Sequence, residues 1–351
     1  MNQPVNQPVN QAVNQAVNKP RVLVAIPVFA EVLAALQQHF EVDAPCGTDL
    51  SIHWTHEALA ARLQGCAGVF VAGAPAITAP LLAACPSLRA VASMAVGYNN
   101  IDLAACTAAG VLVSNAPDVL TETTADFGFA LMMATARRIT ESEHFLRAGR
   151  WQHWSYDMFA GADVFGATLG VLGMGRIGQA IARRGALGFG MPVIYHNRSR
   201  LDLRLEQQLG ARWVSKDDLL RQADHLVIVV PYSAASHHLV DAAALALMQP
   251  TATLTNIARG GVVDDAALAQ ALGQHRLAAA GLDVFEGEPT VHPALLALPN
   301  VVLTPHIASA SLRTRRAMAD LATRNLAAAL GCGPEAGRPP TALNPGVLPG
   351  A

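Results

Sequence analysis

Residues 168–184 read TLGVLGMGRIGQAIARR. A short apolar run leads into Gly173, Gly175 and Gly178 in G-x-G-x-x-G spacing, and an amphipathic helical pattern opens at once. The order of strand, turn and helix carries the meaning, because the glycine spacing alone is common. Gly173 permits a tight turn, Gly175 lets the backbone approach a pyrophosphate, and Gly178 lets the helix lie close to the strand. The free N–H groups of this turn and helix start, from Met174 through Arg176 and Ile177, would face phosphates at the positive end of the helix dipole. An ordinary βα turn could use the same glycines for packing. A second apolar strand at the right distance favours the dinucleotide reading.

That second strand belongs to VIYHNRSR, residues 193–200. An acid that holds the adenosine ribose is expected about 20 residues into such a unit. Asn197, 19 residues after Gly178, stands there instead, followed by Arg198, Ser199 and Arg200. A carboxylate would repel a 2′-phosphate, whereas two guanidiniums offer it charge-assisted donors. The stretch therefore points to NADP, with NAD the less favoured cofactor. The plain alternative is two solvated charges on a turn.

Outward from this unit the chain keeps one rhythm. RVLVAIPV, AGVFVAGA, LRAVASMAV and VLVSNA read as buried strands, with helical patterns such as AEVLAALQQHF and IDLAACTAAG between them. A helical pattern runs from Thr121 to about Arg147, and a second strand series follows: TLGVLG, PVIYHN, HLVIVVP, ATLTNIA, AAGLDVF and NVVLTPH. The last long helix is SLRTRRAMADLATRNLAAAL. The fold class expected is α/β, with two Rossmann-like domains and parallel sheets. The crossings between them are expected near Pro117 and Pro305, with the last helix returning to the first unit.

The 351 residues suffice for two such domains, and a formal charge of −2 gives no reason to expect nucleic acid or an anionic membrane surface as a partner. Five cysteines lack any CxxC or metal spacing, which suits reduced thiols and a cytoplasmic location. The apolar runs are interrupted well before membrane-spanning length. Residues 1–20 repeat a four-residue polar unit, and a disordered tail rather than a targeting signal is expected there.

Polar residues cluster where strands end, which is where open α/β sheets place ligands. Arg259 follows one strand, Asp283, Glu286 and Glu288 follow another, and His306 follows a third. Val230, Pro231, Ile257 and Ala258 end two of these strands and are expected against the cofactor. An arginine, a carboxylate and an imidazole suit reduction of a 2-keto acid. The arginine clamps the carboxylate and polarises the ketone, the histidine donates a proton, and the acid orients the imidazole and favours its cation. Each has a bland reading: a sheet-end salt bridge for Arg259, a solvated loop acid for Glu288, a structural histidine for His306.

Together the segments AVGYNNID, TADFGFALMMATARRI, GVLGMGRIGQAIARR, NIARGGVVDDAAL, AAGLDVFEGEP and VVLTPHIASAS resemble the D-isomer-specific 2-hydroxyacid dehydrogenase family, in its order and from about Arg21 to Pro345. GFGMPVIYHNRSR and GRWQHW look most like its glyoxylate/hydroxypyruvate and 2-ketogluconate reductases. The resemblance implies Arg259, Glu288 and His306 as the catalytic set. It implies Val96, Gly97 and Tyr98 in the loop that holds the substrate carboxylate, with Arg259 and His306 also on the substrate, and Asp283 beside the nicotinamide. It further implies a flavodoxin-like substrate-binding domain from 21–117 and 306–345, and an inserted NAD(P)-binding Rossmann domain at 118–305. A homodimer built on the cofactor domain, with Trp151 and Trp154 on an arm toward the partner, is implied too. Asn99 and Ala308 depart from residues common in the family, Asp and Gly, and leave the preferred 2-keto acid open. Two other activities fit the same scaffold: a dinucleotide-sensing, corepressor-like binding protein, and an NAD-linked dehydrogenase of formate or phosphite. The complete catalytic set does not separate the first from a reductase, but the reductase-like stretch around Trp151 weighs against it, and the arginine pair at the ribose position weighs against the second.

Overall fold

The computed structural model describes residues 19–47 and 54–348. Most of the N-terminal repeat, where a disordered tail is expected, lies outside the described residues. Two parallel sheets organise the chain. The first contains β1 (Arg21–Val24), β2 (Glu41–Asp43), β3 (Gly68–Val71), β4 (Ala90–Ser93) and β5 (Leu112–Ser114), in the order 2-1-3-4-5. That is the flavodoxin-like order. The second contains β6 (Leu169–Leu172), β7 (Val193–His196), β8 (Ala211–Trp213), β9 (His225–Ile228), β10 (Thr253–Asn256), β11 (Ala279–Leu282) and β12 (Val301–Leu303), in the order 12-11-10-9-6-7-8. Read from β6 outward, this is the doubly wound dinucleotide-binding order with one more strand at its edge.

Parallel neighbours require crossover connections, and helices fill most of them. They cover the sheets, so the central strands are buried on consecutive residues: β3, β4, β6, β9 and β10 are buried throughout. Leu23, Val69, Leu81 and Val91 lie in the core of the first sheet. Leu226, Leu254 and Leu272 belong to one core of the second, and Val171, Ile181 and Tyr195 to another.

The chain forms two compact units. Among the described residues, one holds those up to Met94, Asn100–Ser114 and those from Ala322 onward; the other holds Ala95–Asn99 and Asn115–Leu321. The return therefore falls inside the helix Leu312–Ala329 and not near Pro305. The start of that helix is held in the second unit, where the Thr314 hydroxyl meets that of Thr123 at 2.6 Å.

The helical pattern from Thr121 to Arg147 is also interrupted. It forms Thr121–Ala136 and Ile139–Arg147, with Arg138 between them at φ 53°. The carbonyl of Ala136 accepts the N–H of Ala162 at 2.9 Å, and the Arg138 guanidinium forks onto Glu141 at 2.7 and 2.8 Å. Two strands, β2 and β8, had no apolar signature. Both end their sheets and are partly exposed, so neither needs one.

Candidate active site

The glycine-rich turn after β6 is closed from behind. Gly173 has φ 103°, and a Cβ there would stand 2.8 Å from the backbone of Val229 and Val230. A Cβ on Gly178 would stand 2.3 Å from the carbonyl oxygen of Gly173, so the helix Arg176–Arg183 sits as close as backbone allows. Asn197 Oδ1 accepts the Met174 N–H at 2.6 Å. Met174 also buries its side chain fully in the core.

In front of the turn lies a cleft of about 510 Å³, contained in the second unit. Gly175, Arg176, Ile177 and Gly178 line one part of it, and Val230, Pro231, Ile257 and Ala258 another. Val96, Gly97, Tyr98 and Arg259 complete the part expected to meet substrate. Asp283, Glu288 and His306 stand outside this lining, as do residues 197–200.

At the end of β7, Arg198 and Ser199 are exposed. Arg200 differs. Its Nε and Nη2 donate to the two oxygens of Glu206 at 2.9 and 2.7 Å. Glu206 is 5% exposed and also receives the Tyr195 hydroxyl at 2.6 Å. Burial first, and the Glu206 hydrogen bond second, push the Tyr195 phenol up to about 12. Arg200 thus has its fork filled before any phosphate arrives.

Arg259 follows β10. Its Nη1 donates to the Ala258 carbonyl at 2.7 Å and its Nε to Asn99 Oδ1 at 3.2 Å. Both acceptors are neutral. Burial lowers its affinity for its proton, the nearby Glu288 charge opposes this, and an arginine still remains a cation. A Cβ on Gly97 would fall 1.8 Å from Arg259 Nη2, so any side chain there would displace the guanidinium.

His306 follows β12 with φ 53°, and its Nδ1 meets Glu288 Oε2 at 2.7 Å. Glu288 Oε1 accepts the Phe285 N–H at 2.9 Å. Burial alone would raise the Glu288 carboxyl, but the hydrogen bond and charge of His306, with Phe285 N–H and Arg259, outweigh it and hold the group below its usual value. Asp283, with no exposed surface, accepts from Thr304 Oγ1 at 2.7 Å and from the N–H groups of Ile307 and Ala308 at 2.8 Å each. Its hydrogen bonds build the turn that carries His306.

The D-isomer specific 2-hydroxyacid dehydrogenase model, in its NAD-binding domain, matches residues 129–308. The chain is 44% identical to a glyoxylate reductase of Thermococcus onnurineus over 88% of its own length and 92% of the relative's. It is likewise 44% identical to one from Aeropyrum pernix, with the same coverage. Among solved structures it superposes on the NADPH-dependent glyoxylate/hydroxypyruvate reductase of Sinorhizobium meliloti, determined with NADP and malonate. There the TM-score is 0.79 at 37% identity, covering 94% of this chain and 98% of that one. The chain belongs to the D-isomer specific 2-hydroxyacid dehydrogenase family.

As a 2-hydroxyacid dehydrogenase, the chain is an oxidoreductase acting on CH–OH groups, with an NAD(P)-binding domain at 129–308. Sequence reasoning missed three parts of the cleft. Asp118, at φ 68°, pairs with Arg176 at 2.7 Å. Tyr232 lines the cleft and hydrogen-bonds His237. Asn99 was visible as a departure from the family, but its role as acceptor for Arg259 was not. Asp118 lies outside the glycine-rich and strand-end patterns, whereas Tyr232 directly follows Pro231 and Asn99 stands two residues beyond Gly97. No helix among the described residues is long and apolar enough to cross a membrane.

Proposed function

We propose that this dehydrogenase reduces small 2-keto acids to D-2-hydroxy acids with NADPH, and that glyoxylate, hydroxypyruvate and 2-ketogluconate are its candidate substrates. The observation that carries the reading is the Glu288–His306 pair at 2.7 Å together with an Arg259 that meets only neutral acceptors. Bound NADPH supplies a hydride to the keto carbon. Arg259 holds the substrate carboxylate and polarises the carbonyl, stabilising charge that develops on oxygen. His306 transfers its ring proton to that oxygen, and Glu288 fixes the ring. The names of the relatives support glyoxylate as a substrate.

For the cofactor, the absence of an acid at Asn197 and the exposure of Arg198 and Ser199 favour NADPH over NADH. The solved relative with NADP supports the same choice. Arg200 is a secondary contributor, because Glu206 already holds it. We further propose a homodimer through the cofactor domain. Leu146, Trp151, Trp154, Tyr156 and Phe165 are all exposed on that unit, from 54% to 87%, an unusual apolar surface for a lone chain. A cytoplasmic location suits five cysteines that form no disulfide.

The test is kcat/KM for the three keto acids with NADPH and NADH, on wild type and His306→Gln. The variant should bind NADPH normally and lose about 10²–10⁴-fold in reduction, the usual worth of general acid catalysis. Near-normal kcat in His306→Gln, or no turnover of any keto acid by wild type, would remove the reading.

A further inference from the structure

Outside the catalytic pair, two loops bring two imidazoles and a carboxylate together. His237 and His238 lie on the loop after β9, and Glu286 on the loop after β11. One ligand atom from each lies within 4.8 Å of the others, and this is the one such group among the described residues. His238 Nε2 stands 3.0 Å from Glu286 Oε2, and the two imidazoles stack with centroids 4.0 Å apart.

The group is also held from outside. The Tyr232 hydroxyl meets His237 Nδ1 at 3.1 Å, and Asp264 Oδ2 lies 3.8 Å from His238 Nδ1. The backbone N–H of His238 donates to the Gly261 carbonyl at 2.7 Å, and that of Glu286 to Asp265 Oδ2 at 3.0 Å. Histidine ligands commonly have such partners on the ring nitrogen away from the metal, where they fix the tautomer and orient the ring.

We propose that His237, His238 and Glu286 bind one divalent ion of the zinc class. Two imidazoles and a carboxylate suit Zn²⁺, Ni²⁺ or Cu²⁺, whereas Mg²⁺ and Ca²⁺ favour all-oxygen sites. Three protein ligands leave a position for water. An ion there joins the loop after β9 to the loop that carries Glu288, so it sits beside the reductase machinery without using any of its groups. The site has no part in hydride transfer.

The test is calorimetric titration of the untagged full chain with Zn²⁺, and separately with Mg²⁺. Wild type should take up one equivalent of Zn²⁺ and show no saturable heat with Mg²⁺. Loss of an outer partner commonly weakens a metal site about 10–100-fold, so His238→Gln or Glu286→Gln should weaken Zn²⁺ by at least tenfold. His237 is exposed, so His237→Gln keeps the test open should His238→Gln fail to fold. Absence of saturable Zn²⁺ binding would overturn the proposal. So would equal affinity in wild type and variants, or tighter binding of Mg²⁺ than of Zn²⁺.

Discussion

Arg200 and Arg259 both sit just beyond strands of the second sheet, and their surroundings are opposite. Arg200 is more than half exposed, yet both arms of its fork rest on the buried carboxylate of Glu206. Arg259 is the more buried of the two, yet it meets only the Ala258 carbonyl and the Asn99 amide oxygen. A guanidinium matched to a carboxylate shapes its own turn. One given neutral acceptors is oriented without being neutralised, and keeps its charge for an anionic ligand. The same contrast separates two histidines. His225 is buried, with Thr253 and the Asp163 carbonyl on its two nitrogens, while His306 has Glu288 on one nitrogen and keeps an exposed ring.

The contrast breaks most visibly at Arg259. Arg259→Gln should lower kcat/KM for the preferred keto acid at least a hundredfold, since loss of one donor to a developing oxyanion costs roughly 10²–10³-fold. Arg200→Gln should leave kcat intact at saturating cofactor and instead lower the Tm, because Glu206 is left buried without its cation. Steady-state kinetics and thermal melts on both variants decide this. Equal losses of kcat would erase the distinction between the two arginines.

Glu288→Gln sharpens the comparison through pH. Glu288 titrates below its ordinary value, so its carboxylate persists until pH falls beneath the usual carboxylate range. That depression stabilises the fold above the unfolded carboxyl's pKa and is lost as pH falls through the folded one. For catalysis the same carboxylate must be ionised to hold the His306 ring, so reduction should fade as pH falls through the depressed Glu288 value. In Glu288→Gln that partner is lost at every pH, so kcat for reduction should fall and this acid limb should vanish. Profiles of kcat against pH for wild type and variant measure this, and an unchanged acid limb would uncouple Glu288 from the reaction.

The smallest effects belong to the ribose end. Arg198→Ala should raise the KM for NADPH by about tenfold, the scale of one charge-assisted hydrogen bond at a wet site. NADH, which lacks the phosphate, should be unaffected, and the NADPH effect should shrink as salt rises. Arg200→Ala should change the NADPH to NADH ratio less than Arg198→Ala does, because its charge is already matched. A larger change at Arg200 would show that the phosphate wins it from Glu206.

Much of the architecture is legible in consecutive residues. Apolar runs of four to five residues mark the central strands, and the Gly173, Gly175 and Gly178 spacing places the βα turn. Those signals are local: a strand buried on both faces is mostly apolar, though β10 buries Thr253, Thr255 and Asn256, and a close backbone approach favours glycine. The strand ends that carry Arg259, Glu288 and His306 follow from the same rhythm. What the sequence left open is pairing. That Asn197 holds the Met174 N–H and that Glu206 holds Arg200 is not written in any local pattern. Nor is the placing of the Asp283 oxygens on the His306 turn. Ala162 bonds the helix end beside the break at Arg138, and Thr123 meets Thr314 at the start of the last helix. A hydrogen bond requires two groups from separate elements to meet within about 3 Å. No local pattern encodes that meeting, so only the tertiary structure decides which charges are engaged and which are left for a ligand.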